Sequence, residues 1–160
     1  MIEWLVYLLT GAFAGFVLAF VYALFKVGPG KPEFPFWKAL AISLAITWGG
    51  PFAYVEVMTR VHKHELEPVV KDYFQSDDCA LLGNMKYFKV LYSTSDVAYV
   101  YLVSDEPQEW GGNDSPLVKL KLKKSNKNSG AKFGGWEVAS TKVLRSDRLQ
   151  KDSVVWPPYQ

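Results

Sequence analysis

The residues of this 160-residue chain best suited to chemistry are two histidines, His62 and His64, one cysteine, Cys79, and one acid beside a long apolar run, Glu56. Paired imidazoles can ligate a metal, or a tetrapyrrole held at a membrane surface. A spacing of two puts His62 and His64 on different faces of a helix, although a strand or a loop could align them. The nearest acids, Glu56, Glu65 and Glu67, serve equally well as snorkelling or helix-capping groups, so no third ligand is evident and no metal is expected. Cys79 follows Asp77 and Asp78, an acidic neighbourhood that disfavours the thiolate. A single cysteine also excludes an internal disulfide and any zinc motif needing two cysteines. Gly111-Gly112 and Gly134-Gly135 are isolated pairs, better read as turns than as phosphate loops. No catalytic residue is assigned and the chain is not expected to be an enzyme; a membrane hydrolase using Cys79 or His64 is the remote alternative. No cofactor is expected, with a peripheral pigment or lipid left open. A net charge of +2 gives no reason to invoke nucleic acid. Asn113-Asp114-Ser115 has sequon form but is followed by Pro116.

The elements that carry these residues are set by an uneven charge distribution. Residues 1–58 hold six charged side chains, Glu3, Lys26, Lys31, Glu33, Lys38 and Glu56, and the remaining 28 lie in the last 102 residues. Trp4 to Phe25 is a run of 22 residues without charge. At about 1.5 Å per residue it reaches roughly 33 Å, enough for a hydrocarbon core of about 30 Å. Ala39 to Val55 is a second charge-free run, 17 residues long and containing Gly49, Gly50 and Pro51. It reads as a span from Trp37 to Val57 with a kink or break near Pro51. A cleaved signal peptide would need a basic leader, whereas only the start amine and Glu3 precede Trp4. Trp4, Tyr7, Tyr22, Phe25, Phe34, Phe36, Trp37 and Tyr54 cluster at the ends of the two runs, where aromatic rings meet headgroups. The connector KVGPGKPEFPF, residues 26–36, is rich in proline and glycine and predicts an antiparallel hairpin. Neither span contains a histidine, so an axial imidazole at bilayer depth is excluded. Lys26, Lys31 and Lys38 against Arg60, Lys63 and the start amine lean toward a cytoplasmic connector, with both termini on the outer (periplasmic or lumenal) side.

Small residues recur every four positions in both spans: Gly11, Gly15, Ala19 and Ala23 in the first, Ala41, Ala45, Gly49 and Ala53 in the second. This spacing keeps each set on one helix face, where missing side chains let backbones approach. A mutual seam is expected, with one ladder facing another subunit as the alternative.

From residue 59 to 152 the pattern is that of an extramembrane α+β head. His64 to Gln75 has apolar residues at helical spacing, and Pro68 fits a first turn, so a helix is predicted to start near Glu65 to Glu67. Residues 85–92, 97–103, 117–123 and 136–144 read as four antiparallel strands, with loops at 105–116 and 125–135. The helix is expected to lie on one sheet face. This order, closing on Gly135-Trp136-Glu137-Val138, resembles small cystatin-like or NTF2-like membrane-tethered domains; no activity is carried across from that resemblance.

The strand at 97–103 is apolar on both faces, Val97, Tyr99, Tyr101 and Val103 on one and Ala98, Val100 and Leu102 on the other, so both want covering. Tyr99 and Tyr101 are therefore candidate partner contacts. The tail 153–160, SVVWPPYQ, is forced extended by Pro157 and Pro158, and Trp156 and Tyr159 are costly to leave in water. It is expected to cover its own sheet or to dock on another chain. Lys119, Lys121 and Lys123, with Lys124 and Lys127 nearby, either meet anionic lipid or an acidic partner, or guard an edge strand.

The reading that joins these features is a non-catalytic accessory subunit of a larger membrane complex, by analogy a respiratory or photosynthetic one. Other membrane subunits and the bilayer are the expected partners. The alternative is a membrane-tethered binding module for a lipid, pigment or other apolar ligand.

Overall fold

The computed structural model describes residues 2–26, 35–107, 113–125 and 135–159. Residues 27–34 of the connector, with Lys31, Glu33 and Phe34 among them, and Gly111-Gly112, Lys127 and Gly134 lie outside the described residues. The chain divides into two compact units, Met1–Tyr54 with Val155–Tyr159, and Val55–Val154.

Helix α1 spans Ile2–Lys26 and helix α2 spans Phe36–Phe74. Both are long and apolar enough to cross a membrane. Glu3 in the first turn and Lys26 in the last suit the helix dipole of α1. Helix α2 begins where the Pro35 carbonyl accepts the Lys38 and Ala39 amides at 3.0 and 3.2 Å. It ends where the Ser76 hydroxyl and amide both turn back to the Tyr73 carbonyl, at 2.7 and 3.0 Å.

Two expectations about this helix are corrected. No second helix starts near Glu65, and no break occurs at Pro51, because α2 runs uninterrupted through Pro51 and Pro68. An internal proline removes one helical hydrogen bond and costs about 3 kcal/mol. On either side of Pro68 that cost is offset by burial of Leu66, Val69, Val70 and Tyr73 on the sheet, each side chain contributing about 1.5–3 kcal/mol.

The sheet is antiparallel and has six strands rather than the expected four. Strands β1 (Asn84–Ser93), β2 (Val97–Pro107), β4 (Leu117–Lys124) and β5 (Trp136–Ser146) match the predicted runs, most of them extended by a few residues. Two short strands, β3 (Asn113–Asp114) and β6 (Lys151–Asp152), were not legible, since two residues carry no periodicity. The order is β1-β2-β4-β5-β6, with β3 on the far end of β2. The β1–β2 turn is closed by the Thr94 amide donating to the Val97 carbonyl at 2.9 Å.

One face of the sheet meets α2. Leu66 and Val70 pack with Val90, Val100, Leu102, Leu120 and Leu122, none of which has exposed surface. The edge of β1 is tied to the same helix: the Val90 amide donates to Thr59 Oγ1 at 2.9 Å, and that hydroxyl donates to the Val55 carbonyl at 2.7 Å. Trp136 Nε1 donates to Glu65 Oε1 at 2.7 Å, tying β5 to α2. Gly83, at φ +73°, makes the turn into β1, where a Cβ would collide with the Asp105 carbonyl oxygen.

Candidate functional site

The helical hairpin is held by a notch on α1 and knobs on α2. Gly11, Gly15 and Ala19 are buried, and Ala23 is half-buried. A Cβ on Gly11 would fall on the Trp48 ring; one on Gly15 would lie 2.9 Å from Leu44 Cδ2 and 3.2 Å from the Leu44 amide nitrogen. The second ladder is placed elsewhere: Ala41, Ala45, Gly49 and Ala53 are exposed, and a Cβ at Gly49 would meet nothing within 4 Å. Close approach needs a gap on only one helix when the other supplies large side chains to fill it.

Polar groups stitch the same seam. The Tyr7 hydroxyl donates to the Trp48 carbonyl, Thr47 Oγ1 donates to the Gly11 carbonyl at 2.9 Å, and Trp48 Nε1 donates to the Leu8 carbonyl at 3.2 Å. Sequence reasoning missed Thr47 and Trp48 and gave Tyr7 only an interfacial role. Tyr7 continues the ladder one turn before Gly11, which was the available signal.

The Ser153 amide still donates to the Leu144 carbonyl of β5 at 2.8 Å, and from Val155 to Tyr159 the tail is seated on the hairpin. The Val155 amide donates to Glu3 Oε1 at 3.0 Å, and the Trp156 ring centroid lies 4.7 Å from that of Tyr7. Tyr159 meets Phe52 edge-on at 5.6 Å. Val155, Pro157 and Pro158 are buried, while Trp156 remains 45% exposed.

Of the residues singled out for chemistry, none is brought into an assembled set. His62 Nδ1 lies 3.9 Å from Glu65 Oε2, but Glu65 already accepts the Trp136 indole, and His64 is exposed on another face of α2. Among the described residues no group of three or more His, Cys, Asp or Glu side chains converges. Glu56 is paired with Lys89 and, at 3.4 Å, with Arg60. Burial pushes the Cys79 thiol above its ordinary pKa, outweighing the hydrogen bonds from the Leu81 backbone and Tyr73 that pull it down. That is the environment of a structural thiol rather than a nucleophile.

One buried acid was not foreseen. Glu106 accepts the Leu82 amide at 2.5 Å and faces Arg148 Nε at 3.6 Å, while Arg148 Nη2 donates to the Ala80 carbonyl at 2.6 Å. The group latches the segment around Cys79 to β2 and to the turn at 147–150.

The lysines occupy the sheet face opposite the helix. Lys119, Lys121 and Lys123 alternate with Leu120 and Leu122 on β4, which lies between β2 and β5. They do not guard an edge, because the edge positions are taken by other strands. Tyr99 and Tyr101 share this face; Tyr101 is buried and Tyr99 half-buried, with Lys119 Nζ 4.9 Å from the Tyr99 ring centroid. No family model, no characterised protein and no solved structure matches the chain, so the reading of its function rests on these contacts alone.

Proposed function

We propose that the chain is a non-catalytic accessory subunit of a larger membrane protein complex. The observation that carries this reading is the outward face of α2, where Ala41, Ala45, Gly49 and Ala53 are exposed and take no part in the seam with α1. Small side chains on four successive turns leave a shallow strip on which a neighbouring helix can approach closely. The hairpin lies in the bilayer: Leu5, Leu9, Phe13, Leu24 and Phe25 of α1 are each at least 60% exposed, a surface that water would penalise. The lysine distribution leans toward a cytoplasmic connector with both termini outside. Respiratory and photosynthetic assemblies are the analogous hosts. The tail contributes through the exposed side of Trp156, already seated on Tyr7.

The test is purification from native membranes in mild detergent, followed by sizing and identification of what co-elutes. A subunit migrates with larger partners; a free monomer or homodimer overturns the reading. An apolar-ligand module is less well supported, because a ligand on the core face of the sheet would have to displace Leu66, Val69, Val70 and Tyr73.

A further inference from the structure

The strand register arranges the lysine face in rows. In one row Tyr101 of β2 lies between Lys89 of β1 and Lys119 of β4, and Lys119 lies opposite Lys142 of β5. In the next, Tyr99 is flanked by Tyr92 and Lys121, and Lys121 lies opposite Ser140. Directly opposed residues have Cβ atoms about 5 Å apart, and like charges there destabilise a sheet. Lys119 and Lys142 are such a pair.

Internal contacts neutralise only part of this charge. Lys89 is held by Glu56, and Lys119 sits over the Tyr99 ring. Among the described residues Lys121 and Lys142 have no carboxylate partner. A cation array on β4 and β5, with Lys119 and Lys142 directly opposed, is accounted for if an anionic group completes it.

We propose that this face binds an acidic segment of a partner polypeptide, with carboxylates meeting Lys119, Lys121 and Lys142 beside the Tyr99 ring. The inference rests on the subunit reading above and names the chemistry of the partner. A polypeptide fits better than a lipid surface. Peripheral lipid contact pairs basic residues with large apolar side chains that insert, whereas Tyr101 and Val103 on this face are buried, Tyr92 alone standing out. A fixed cation array instead selects a partner by charge register.

The experiment uses the full chain in nanodiscs of zwitterionic lipid, with fluorescent poly-L-glutamate as the probe and anisotropy as the readout. Binding weakens steeply as salt rises from about 50 to about 500 mM. The double variant Lys119→Gln with Lys142→Gln binds about tenfold more weakly or worse, while Lys63→Gln, on α2, binds as the wild type. The double variant keeps its fold, since it removes a like-charge pair; Lys121→Gln, opposite Ser140, provides an independent variant with the same expected loss. Equal affinity across all variants overturns the proposal. So does protection of Lys121 and Lys142 from acetylation by anionic-lipid nanodiscs without peptide, which would make lipid the occupant. A chain that proves monomeric in native membranes defeats the subunit reading while the lysine-specific binding stays measurable. A chain that co-purifies with partners but shows no lysine-specific binding defeats this inference alone.

Discussion

Trp48 fills the gap that Gly11 leaves: its ring occupies the space of the absent Cβ, and its Nε1 donates to the Leu8 carbonyl at 3.2 Å. The hairpin therefore depends on one ladder and not on the other. Gly11→Leu or Gly15→Leu must push the helices apart and costs about 1–3 kcal/mol or more of hairpin stability. Gly49→Leu, with open space around it, leaves that stability within about 0.5 kcal/mol. Thermal unfolding of the three variants in one detergent measures the difference; equal losses from Gly15→Leu and Gly49→Leu would refute the asymmetry. If α2 packs on a neighbour, Gly49→Leu instead loses co-eluting partners.

The cross-helix hydrogen bonds are testable separately. Tyr7→Phe removes the donor to the Trp48 carbonyl, and Thr47→Val the donor to the Gly11 carbonyl. Each is expected to cost about 0.6–1.7 kcal/mol, the range for such bonds between membrane helices. The same unfolding assay reads them, and wild-type stability in both would show that packing alone holds the seam.

The two helices and the four main strands were legible because burial imposes a period on many consecutive residues. Leu120 and Leu122 alternate with Lys119 and Lys121, and Leu66, Val69, Val70 and Tyr73 recur at helical spacing. The continuity of α2 was not legible, because Pro51 and Pro68 are breakers by local propensity and only packing against the sheet favours running through the second. Rotational phase was hidden as well: spacing of four identified both ladders, but nothing along the chain says which one meets its neighbour. The seat of the tail depends on Glu3 and Tyr7, about 150 positions away, a separation over which local pattern carries no information. Glu106 was missed for the same reason, since Arg148 comes from a distant turn.

Truncation before Val155 tests the tail. It removes the Trp156–Tyr7 and Tyr159–Phe52 ring contacts, each about 0.5–1.5 kcal/mol, and the hydrogen bond to Glu3. The hairpin should unfold at lower temperature by tryptophan fluorescence. The sheet should keep its far-ultraviolet signature, because Val155–Tyr159 belong to the hairpin unit. Loss of the sheet signature would show that the tail supports the head instead.

Glu106 and Arg148 form the group most sensitive to removal of one partner. Glu106→Ala leaves the Leu82 amide without its acceptor and Arg148 with only the Ala80 carbonyl, and is expected to cost about 2–3 kcal/mol in denaturant unfolding. A change below about 0.5 kcal/mol would remove the latch from the account of the fold.

Cys79 makes a prediction about pH. Folding raises the thiol's pKa through burial, and burial acts the same way on Tyr73 and Tyr87. A group raised in the folded state favours its protonated form, so its contribution is complete below the unfolded pKa and is lost as pH rises through the folded one. Stability should therefore fall on the alkaline side, beginning near the ordinary thiol value of about 9. Iodoacetamide should modify Cys79 more slowly in the folded chain than in urea between about pH 8 and 9. Equal rates would show the thiol to be neither buried nor shifted.

The placement of the hairpin is tested most directly by washing native membranes with alkaline carbonate and following the full-length chain. A pair of spanning helices stays in the pellet and leaves only with detergent. Recovery of the chain in the carbonate supernatant would contradict the membrane hairpin and, with it, the assignment as a membrane subunit.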